Sequence, residues 1–208
     1  MLKRTLFISN PYHLSVKNNQ LVVSANGGTP LKTVPIEDVG FVVLENHEIS
    51  FTMKLVEQLT ENNVAVVFCD SKHMPSSMLL PLDANHIQNE IFRAQADASE
   101  PLKKNLWKQV IEAKIANQAR LLDKLSKNSA KLKALTKAVK SGDSDNREGF
   151  AARLYWTEMF SSSFIRDRFG MPPNPFLNYG YILLRSAVAR SLAGSGLLAT
   201  FGIHHHNR

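Results

Sequence analysis

The sequence predicts an α+β protein, in which a small N-terminal β-sheet or sandwich domain with one helix precedes an all-α C-terminal domain. Three observations predict this class. Short apolar runs separated by turn residues fill the first part, a helical apolar period replaces them in the second part, and the charge changes sign between the two. The predicted domains are residues 1–70 and 86–208, and a polar, proline-marked linker at residues 71–85 joins them.

The N-terminal strands are predicted from apolar runs and the turns between them. The runs LSV and QLVVSA flank the turn KNN, and NGGTP separates them from TVPI and GFVVL. A helix is predicted next, because Phe51, Leu55 and Leu59 have helical spacing. Two asparagines end this helix before the run VAVVF, which is typical of a buried strand.

The C-terminal domain is predicted to be helical because its apolar residues recur every three or four positions. One helix begins near Ile87, a second follows Pro101 with its apolar series at Leu102, Leu106 and Val110, and a third continues into the lysine-rich stretch. SGDSDN interrupts the pattern, which resumes with REGFAARLYWTEMF. A proline-rich loop, MPPNPFLNYGY, precedes the last predicted helix, ILLRSAVARSLAGSG.

The charge distribution indicates the class of partner. The chain carries 25 Lys and Arg against 18 Asp and Glu, a net charge of +7. The first 70 residues carry 5 basic and 7 acidic side chains, whereas residues 103–140 carry 11 basic and 2 acidic ones. A localised positive field is what phosphate-backbone binding requires, so it predicts a polyanionic partner. Charge counting leaves a second interpretation open, a solvated lysine-rich helix face.

Several classes of protein are excluded by the sequence. The single cysteine, Cys69, excludes a disulfide scaffold and a multi-cysteine zinc site, and we expect it to be buried. HExxH, Walker A and GxSxG motifs are absent. No apolar run of 18 residues occurs and the first residues do not resemble a secretory signal, so we expect a cytoplasmic protein.

Glu148 is the acidic residue best placed to act in a site. It begins an apolar-rich helix, and the small residues Ala151 and Ala152 on its face leave room for a ligand. The competing interpretation is a helix cap, in which Asp145 is the N-cap and Glu148, three residues later, satisfies a backbone amide. Spacing alone favours the cap.

Three consecutive histidines near the end of the chain offer imidazoles to a divalent cation or a phosphate. They are His204, His205 and His206. Because consecutive side chains project in different directions, at most one or two of them can face a single site. A purification-tag remnant is a further interpretation, although Asn207 and Arg208 follow the run.

Four segments of the chain together resemble a known family, the CRISPR-associated integrase Cas-one, which is the first Cas protein of the spacer-acquisition module. Their order and approximate separation are similar to those of that family: KRTLFISNPYHLSVKNNQLVV, NREGFAARLYW, PNPFLNYGYILLR and GIHHHNR. The resemblance is strongest to the type II branch and spans essentially the entire chain. It implies an N-terminal β domain and a C-terminal helical domain, in agreement with the division predicted from the residues.

The resemblance implies a DNA endonuclease and integrase that uses Mg²⁺ or Mn²⁺. Such an enzyme inserts spacer DNA into a CRISPR array when a 3′-hydroxyl attacks a phosphodiester at the repeat edge. Glu148 and His205 correspond to the metal ligands and catalytic residues, and His204 and His206 fit this position less well. The family's third, acidic ligand has no counterpart before Arg208. We therefore expect these 208 residues to be C-terminally incomplete, to bind Mn²⁺ weakly and to integrate DNA little or not at all.

The resemblance also implies macromolecular partners. The β domain would form a homodimer, two such dimers would flank a dimer of Cas-two, and in type II systems Cas-nine and an accessory ring protein would also take part. Double-stranded DNA, as spacer precursor and as repeat, would be held mainly through its phosphates. The arginines nearest the site in sequence are the candidates for this contact: Arg153, Arg166, Arg168, Arg185 and Arg190.

Two other functions compete with integration. In the first, the protein is a non-catalytic DNA-binding scaffold, Glu148 is a helix cap and the histidines are incidental. In the second, the protein is a helical RNA-binding protein. This interpretation is weaker, because the sequence has no aromatic sheet motif of the kind that recognises RNA.

Overall fold

The computed structural model describes residues 3–25, 28–82 and 85–204. These residues form two four-stranded sheets and six α-helices, so the α+β class is confirmed. The strands are β1 (Arg4–Ile8), β2 (His13–Lys17), β3 (Gln20–Ser24), β4 (Pro30–Pro35), β5 (Val39–Leu44), β6 (Ser50–Phe51), β7 (Ala65–Cys69) and β8 (Pro75–Leu79). The helices are α1 (Met53–Glu61), α2 (Gln88–Ala96), α3 (Glu100–Lys124), α4 (Ala130–Thr136), α5 (Arg147–Met159) and α6 (Asn174–Gly194).

The two sheets differ in the direction of their strands. The first has the order β1-β5-β7-β8, with β1, β5 and β7 parallel and β8 antiparallel to β7. The second has the order β4-β3-β2-β6, in which only the short β2–β6 pairing is parallel. One apolar core joins side chains of both sheets and of α1, among them Leu14, Leu21, Val42, Leu55 and Val66.

The core of the helical part is centred on α3. This helix contacts α4 and α5, and its buried residues recur at helical spacing: Trp107, Ile111, Ile115, Ala119 and Leu122. By contrast, the apolar series used to predict the helix lies at the surface, because Leu102, Leu106 and Val110 are 49%, 38% and 47% exposed. The helix is therefore where the sequence predicts it, but it buries the face that carries the tryptophan.

Several segments have more regular structure than the sequence predicts, among them the unpredicted strands β1 and β6. The predicted linker, residues 71–85, contains β8, which pairs with β7 and completes the first sheet. The predicted proline-rich loop is shorter, because α6 already begins at Asn174. Pro175 lies in the first turn of this helix, where an amide hydrogen is not needed, so the proline does not delay the start of the helix.

By contact, the chain divides into two compact units. The first comprises residues 1–92 and 176–199, and the second comprises residues 93–175 and 200–208. Most of α6 thus belongs with the sheets: Leu183 packs against Val43 and Val67, and the Arg190 guanidinium donates a hydrogen bond to the Gly40 carbonyl over 2.8 Å. The sequence assigned α6 to the helical domain instead, and the boundaries 1–70 and 86–208 stay a prediction.

The structure bears on two of the exclusions drawn from the sequence, that of a cysteine-based scaffold or zinc site and that of a membrane span. Cys69 is buried in the first unit, as predicted, and this burial raises the pKa of its thiol. Among the described residues, no helix combines the length and the apolar character that a membrane span needs.

Candidate functional site

The start of α5 is capped by two residues, and neither of them is Asp145. Asn146 adopts a left-handed backbone conformation, with φ 49°, and its Oδ1 accepts a hydrogen bond of 3.1 Å from the amide three residues later. The Asp143 carboxylate accepts hydrogen bonds from the amides of Arg147, at 2.8 Å, and Glu148, at 3.0 Å. Three of the four amides that a helix start leaves free are therefore satisfied without Glu148. The predicted cap at Asp145 is wrong.

Asp145 forms ion pairs with two basic side chains and does not cap the helix. Its Oδ2 lies 2.8 Å from Lys140 Nζ and 3.5 Å from a terminal nitrogen of Arg147. The hydrogen bond from Lys140 is the main reason that the pKa of the Asp145 carboxyl lies below its usual range. Asp145 therefore carries a negative charge in the loop before α5, one helical turn from Glu148.

The Glu148 carboxylate faces a cation from another helix. Its Oε1 accepts a hydrogen bond from the Lys114 ammonium of α3. The Glu148 side chain is 25% exposed and that of Lys114 is 44% exposed, so the pair lies at the edge of the protein surface. The Glu148 carboxylate is thus partly buried, accepts no hydrogen bond from the helix amides described above and already binds an ammonium group. These properties fit the predicted metal ligand, because carboxylate oxygens are preferred ligands of hard divalent cations.

The segment that carries the histidines is attached to α2 and α3. The His204 ring stacks on the indole of Trp107, with ring centroids 4.5 Å apart and 11° between the planes. Gln95 of α2 donates a side-chain hydrogen bond of 2.9 Å to the carbonyl of Phe201. These two contacts hold the chain at the start of the histidine run.

Both candidate ligand segments therefore contact one face of α3. Trp107 and Lys114 are seven residues apart, which places them on the same face and about 10 Å apart along the helix axis. His205, the predicted second ligand, and His206 lie outside the described residues. Within the part of the chain that the structure describes, no group of three or more His, Cys, Asp or Glu side chains is arranged to hold a metal ion.

The three predicted DNA-binding arginines of the second unit differ in what they contact. Arg153 and Arg168 are exposed, and each guanidinium lies over a neighbouring aromatic ring, at 5.9 Å and 5.7 Å from the ring centroid. Arg166 is half-buried and donates hydrogen bonds of 3.1 Å to the Asn174 side chain and to the Asp167 carbonyl. Arg153 and Arg168 are thus the better placed to meet a phosphate from solvent.

The two predicted DNA-binding arginines of the first unit lie on α6. Arg185 is exposed. Arg190 is half-buried, and besides its hydrogen bond to Gly40 its guanidinium lies 5.5 Å from the centroid of the Phe41 ring. The contacts of Arg190 indicate that it attaches α6 to β5. A role in DNA binding stays a prediction for all five arginines.

Sequence reasoning missed two residues that build this site, Lys114 and Trp107. Lys114 is one of 11 basic residues between positions 103 and 140, and no spacing distinguishes it from the others. Trp107 lies in the core of the helical part, at 9% exposure. Its stacking on His204 joins residues 97 positions apart, a separation over which sequence periodicity carries no information.

We expect Asp143→Ala to destabilise the start of α5. The substitution leaves the amides of Arg147 and Glu148 without their acceptor, so the free energy of unfolding should fall by about 1–2 kcal/mol. Urea unfolding followed by circular dichroism measures this change. Asp145→Ala is the matched control, since it removes contacts to the side chains of Lys140, Arg147 and Ser144 but none to a helix amide, and its effect should be clearly smaller. Equal losses in the two variants would contradict the cap assigned here.

Comparison with known proteins identifies the family of this chain. The model of the family described as CRISPR associated protein Cas1 (Cas-one) matches residues 6–208. Over 209 residues, the chain is 38% identical to the CRISPR-associated endonuclease Cas1 of Neisseria meningitidis serogroup C (strain 8013), an alignment that covers 100% of this chain and 68% of the Neisseria protein.

Two solved structures have a similar fold. A casposase bound to integration product has a TM-score of 0.74 and 22% identity, and the match covers 99% of this chain and 65% of that chain. A Cas6-RT-Cas1–Cas2 complex has a TM-score of 0.66 and 19% identity, with 100% of this chain and 25% of that chain covered. At these identities the likeness concerns the fold. The family match over residues 6–208 and the 38% identity along the whole chain show that this chain belongs to the Cas1 family.

Proposed function

We propose that this protein is a DNA endonuclease and integrase that depends on Mg²⁺ or Mn²⁺ and inserts spacer DNA into a CRISPR array. The observation that carries the proposal is the Glu148 carboxylate, which binds the Lys114 ammonium on one face of α3. The histidine segment is attached to the same face. Two names among the similar proteins support it, since the Neisseria relative is called an endonuclease and the casposase is bound to integration product.

Glu148 and His205 are the proposed metal ligands. A carboxylate oxygen and an imidazole nitrogen suit Mn²⁺, and Mg²⁺ accepts the carboxylate with water in its remaining positions. When bound, the cation would stabilise the negative charge that develops on the phosphate oxygens during the reaction. The contribution of Glu148 is a negative charge that α5 and its cap hold in place. The role of His205 rests on the family resemblance.

The proposed reaction exchanges one phosphodiester bond for another. The 3′-hydroxyl of the spacer precursor loses its proton as its oxygen forms a bond to the phosphorus at the repeat edge, the bond to the 3′-oxygen of the repeat strand breaks, and that oxygen takes up a proton. Water in place of the 3′-hydroxyl gives cleavage. Exposed basic side chains such as Arg153 and Arg168 would hold the DNA through its phosphates, so binding should weaken steeply with salt and depend little on base sequence.

The proposed assembly is a pair of homodimers that flank a dimer of Cas2. The similar structure of a Cas6-RT-Cas1–Cas2 complex supports Cas2 as the partner. Cas9 and an accessory ring protein are further proposed partners, by resemblance to type II systems. The competing scaffold function required Glu148 to be a helix cap, and that requirement loses its support because Asn146 and Asp143 cap α5.

The chemistry of the DNA end tests the proposal. The full protein, with its Cas2 partner and Mn²⁺, is incubated with a plasmid that carries the repeat and with a linear duplex that has 3′-hydroxyl ends. We expect joined products from this duplex and none from the same duplex ending in 3′-deoxynucleotides, whereas both should bind with equal affinity. A scaffold would join neither duplex. Joining of the 3′-deoxy duplex would refute attack by the 3′-hydroxyl.

A further inference from the structure

The ion pair between Glu148 and Lys114 has a consequence for metal binding. Lys114 comes from α3 and Glu148 from the first turn of α5, so the contact joins two helices across 34 positions of sequence. The ammonium is bound to Oε1 of the carboxylate that we propose as a metal ligand. We infer, on the basis of the proposed function, that Lys114 is a resident counter-cation: it holds Glu148 when no divalent ion is bound, and a divalent ion must displace it.

Charge repulsion is the physical reason for displacement. An ammonium and a divalent cation on one carboxylate would lie only a few ångströms apart, where like charges repel strongly even near a protein surface. The pair is partly exposed, at 25% for Glu148 and 44% for Lys114, so water can solvate the ammonium once it leaves. The competition therefore lowers the apparent metal affinity by a modest factor and does not prevent binding.

The surroundings of Lys114 allow the ammonium to leave without rearranging the helices. The flanking residues Ile111 and Ile115 are each 0% exposed, so the backbone of α3 is held by the core on both sides of Lys114. The side chain itself is a flexible four-carbon stem with a strongly hydrated end. Displacement thus needs rotation about side-chain bonds only, and the released ammonium stays within one side-chain length of the site.

Other carboxylates of the site do not offer Lys114 an equivalent partner. Asp145 is already bound by Lys140 and Arg147. Asp143 accepts two backbone amides. Once displaced by a divalent ion, the positive charge of Lys114 is therefore left facing solvent beside Glu148, and an incoming DNA phosphate is the anion that the proposed reaction brings to this place.

Lys114→Met is the decisive variant, and Lys108→Met is its matched control. Lys108 also lies on α3, is 39% exposed and pairs with Glu112 at 3.7 Å, so both variants remove one positive charge from the same helix. Mn²⁺ affinity of the full protein is measured by calorimetry. We expect Lys114→Met to bind Mn²⁺ about two- to fivefold more tightly than the unsubstituted protein. Lys108→Met should bind it with unchanged affinity.

Two further variants make the outcome unambiguous. Lys114→Gln keeps a hydrogen-bond donor for Glu148 without the charge, and it replaces Lys114→Met if thermal melting shows that Lys114→Met does not fold. It should also bind Mn²⁺ more tightly. Affinity equal to or weaker than that of the unsubstituted protein, in the folded variant, overturns the inference. Glu148→Gln tests the proposed metal site separately, since unchanged Mn²⁺ affinity in that variant refutes the proposed function itself.

Discussion

Glu148→Gln is expected to abolish metal-dependent cleavage and joining of DNA, with a rate lowered by at least about a hundredfold. The substitution removes the negative charge proposed to hold the divalent cation and keeps the size of the side chain. The structure shows that the amides of Arg147, Glu148 and Gly149 do not depend on this carboxylate, because Asp143 and Asn146 accept their hydrogen bonds. The rate is measured with Mn²⁺ on a linear duplex, using the full protein.

Stability and DNA binding separate a catalytic role of Glu148 from a structural one. The substitution breaks one partly exposed ion pair, so the free energy of unfolding should change by no more than about 1 kcal/mol. DNA affinity at fixed salt should be nearly unchanged. Glu112→Gln is the matched control, because Glu112 pairs with Lys108 on α3 and is 34% exposed. Cleavage that survives in Glu148→Gln together with a loss of about 2 kcal/mol or more would show a structural residue.

Ile111→Ala should cause the largest loss of stability among the substitutions considered. Ile111 is 0% exposed and lies on α3 between Trp107 and Lys114. Truncation leaves a cavity between packed helices, which costs about 2–5 kcal/mol. Because α3 carries the contacts of both candidate ligand segments, metal affinity should fall as well. Urea unfolding followed by circular dichroism gives the change in stability.

The neighbouring Val110 provides the control for Ile111. Its side chain is 47% exposed, so Val110→Ala should change the free energy of unfolding by no more than about 0.5 kcal/mol. The comparison tests which face of α3 is buried. Similar losses for the two substitutions would mean that the apolar series at Leu102, Leu106 and Val110 contributes to the core, as the sequence pattern alone suggests.

Several features of the protein follow from local patterns in the sequence. The short apolar runs bounded by turn residues in the N-terminal part and the apolar period of three to four after about residue 86 identify the α+β class, because strands and helices leave these different patterns in a sequence. The candidate Glu148 follows from its place at a helix start with small neighbours. The family follows from the order of four segments along the chain.

Other features depend on contacts that no local pattern records. The loop before α5 contains three residues whose side chains cap helices well: Asp143, Asp145 and Asn146. Only the path of the loop decides that Asp143 and Asn146 are the caps. Apolar residues cover more than one face of α3, so the buried face depends on where α4 and α5 pack. The last helix contacts the sheets because Leu183 packs with Val43 and Val67, far away in sequence.

The sequence by itself determined the class of fold, most of the strands and helices, the family and the identity of the candidate carboxylate. Only the tertiary structure decided that Lys114 holds this carboxylate and that Trp107 holds the histidine segment on the same face of α3. The physical reason is distance along the chain. Periodicity and capping reflect interactions within a few residues, whereas an ion pair and a ring stack between separate elements exist only after those elements have packed together.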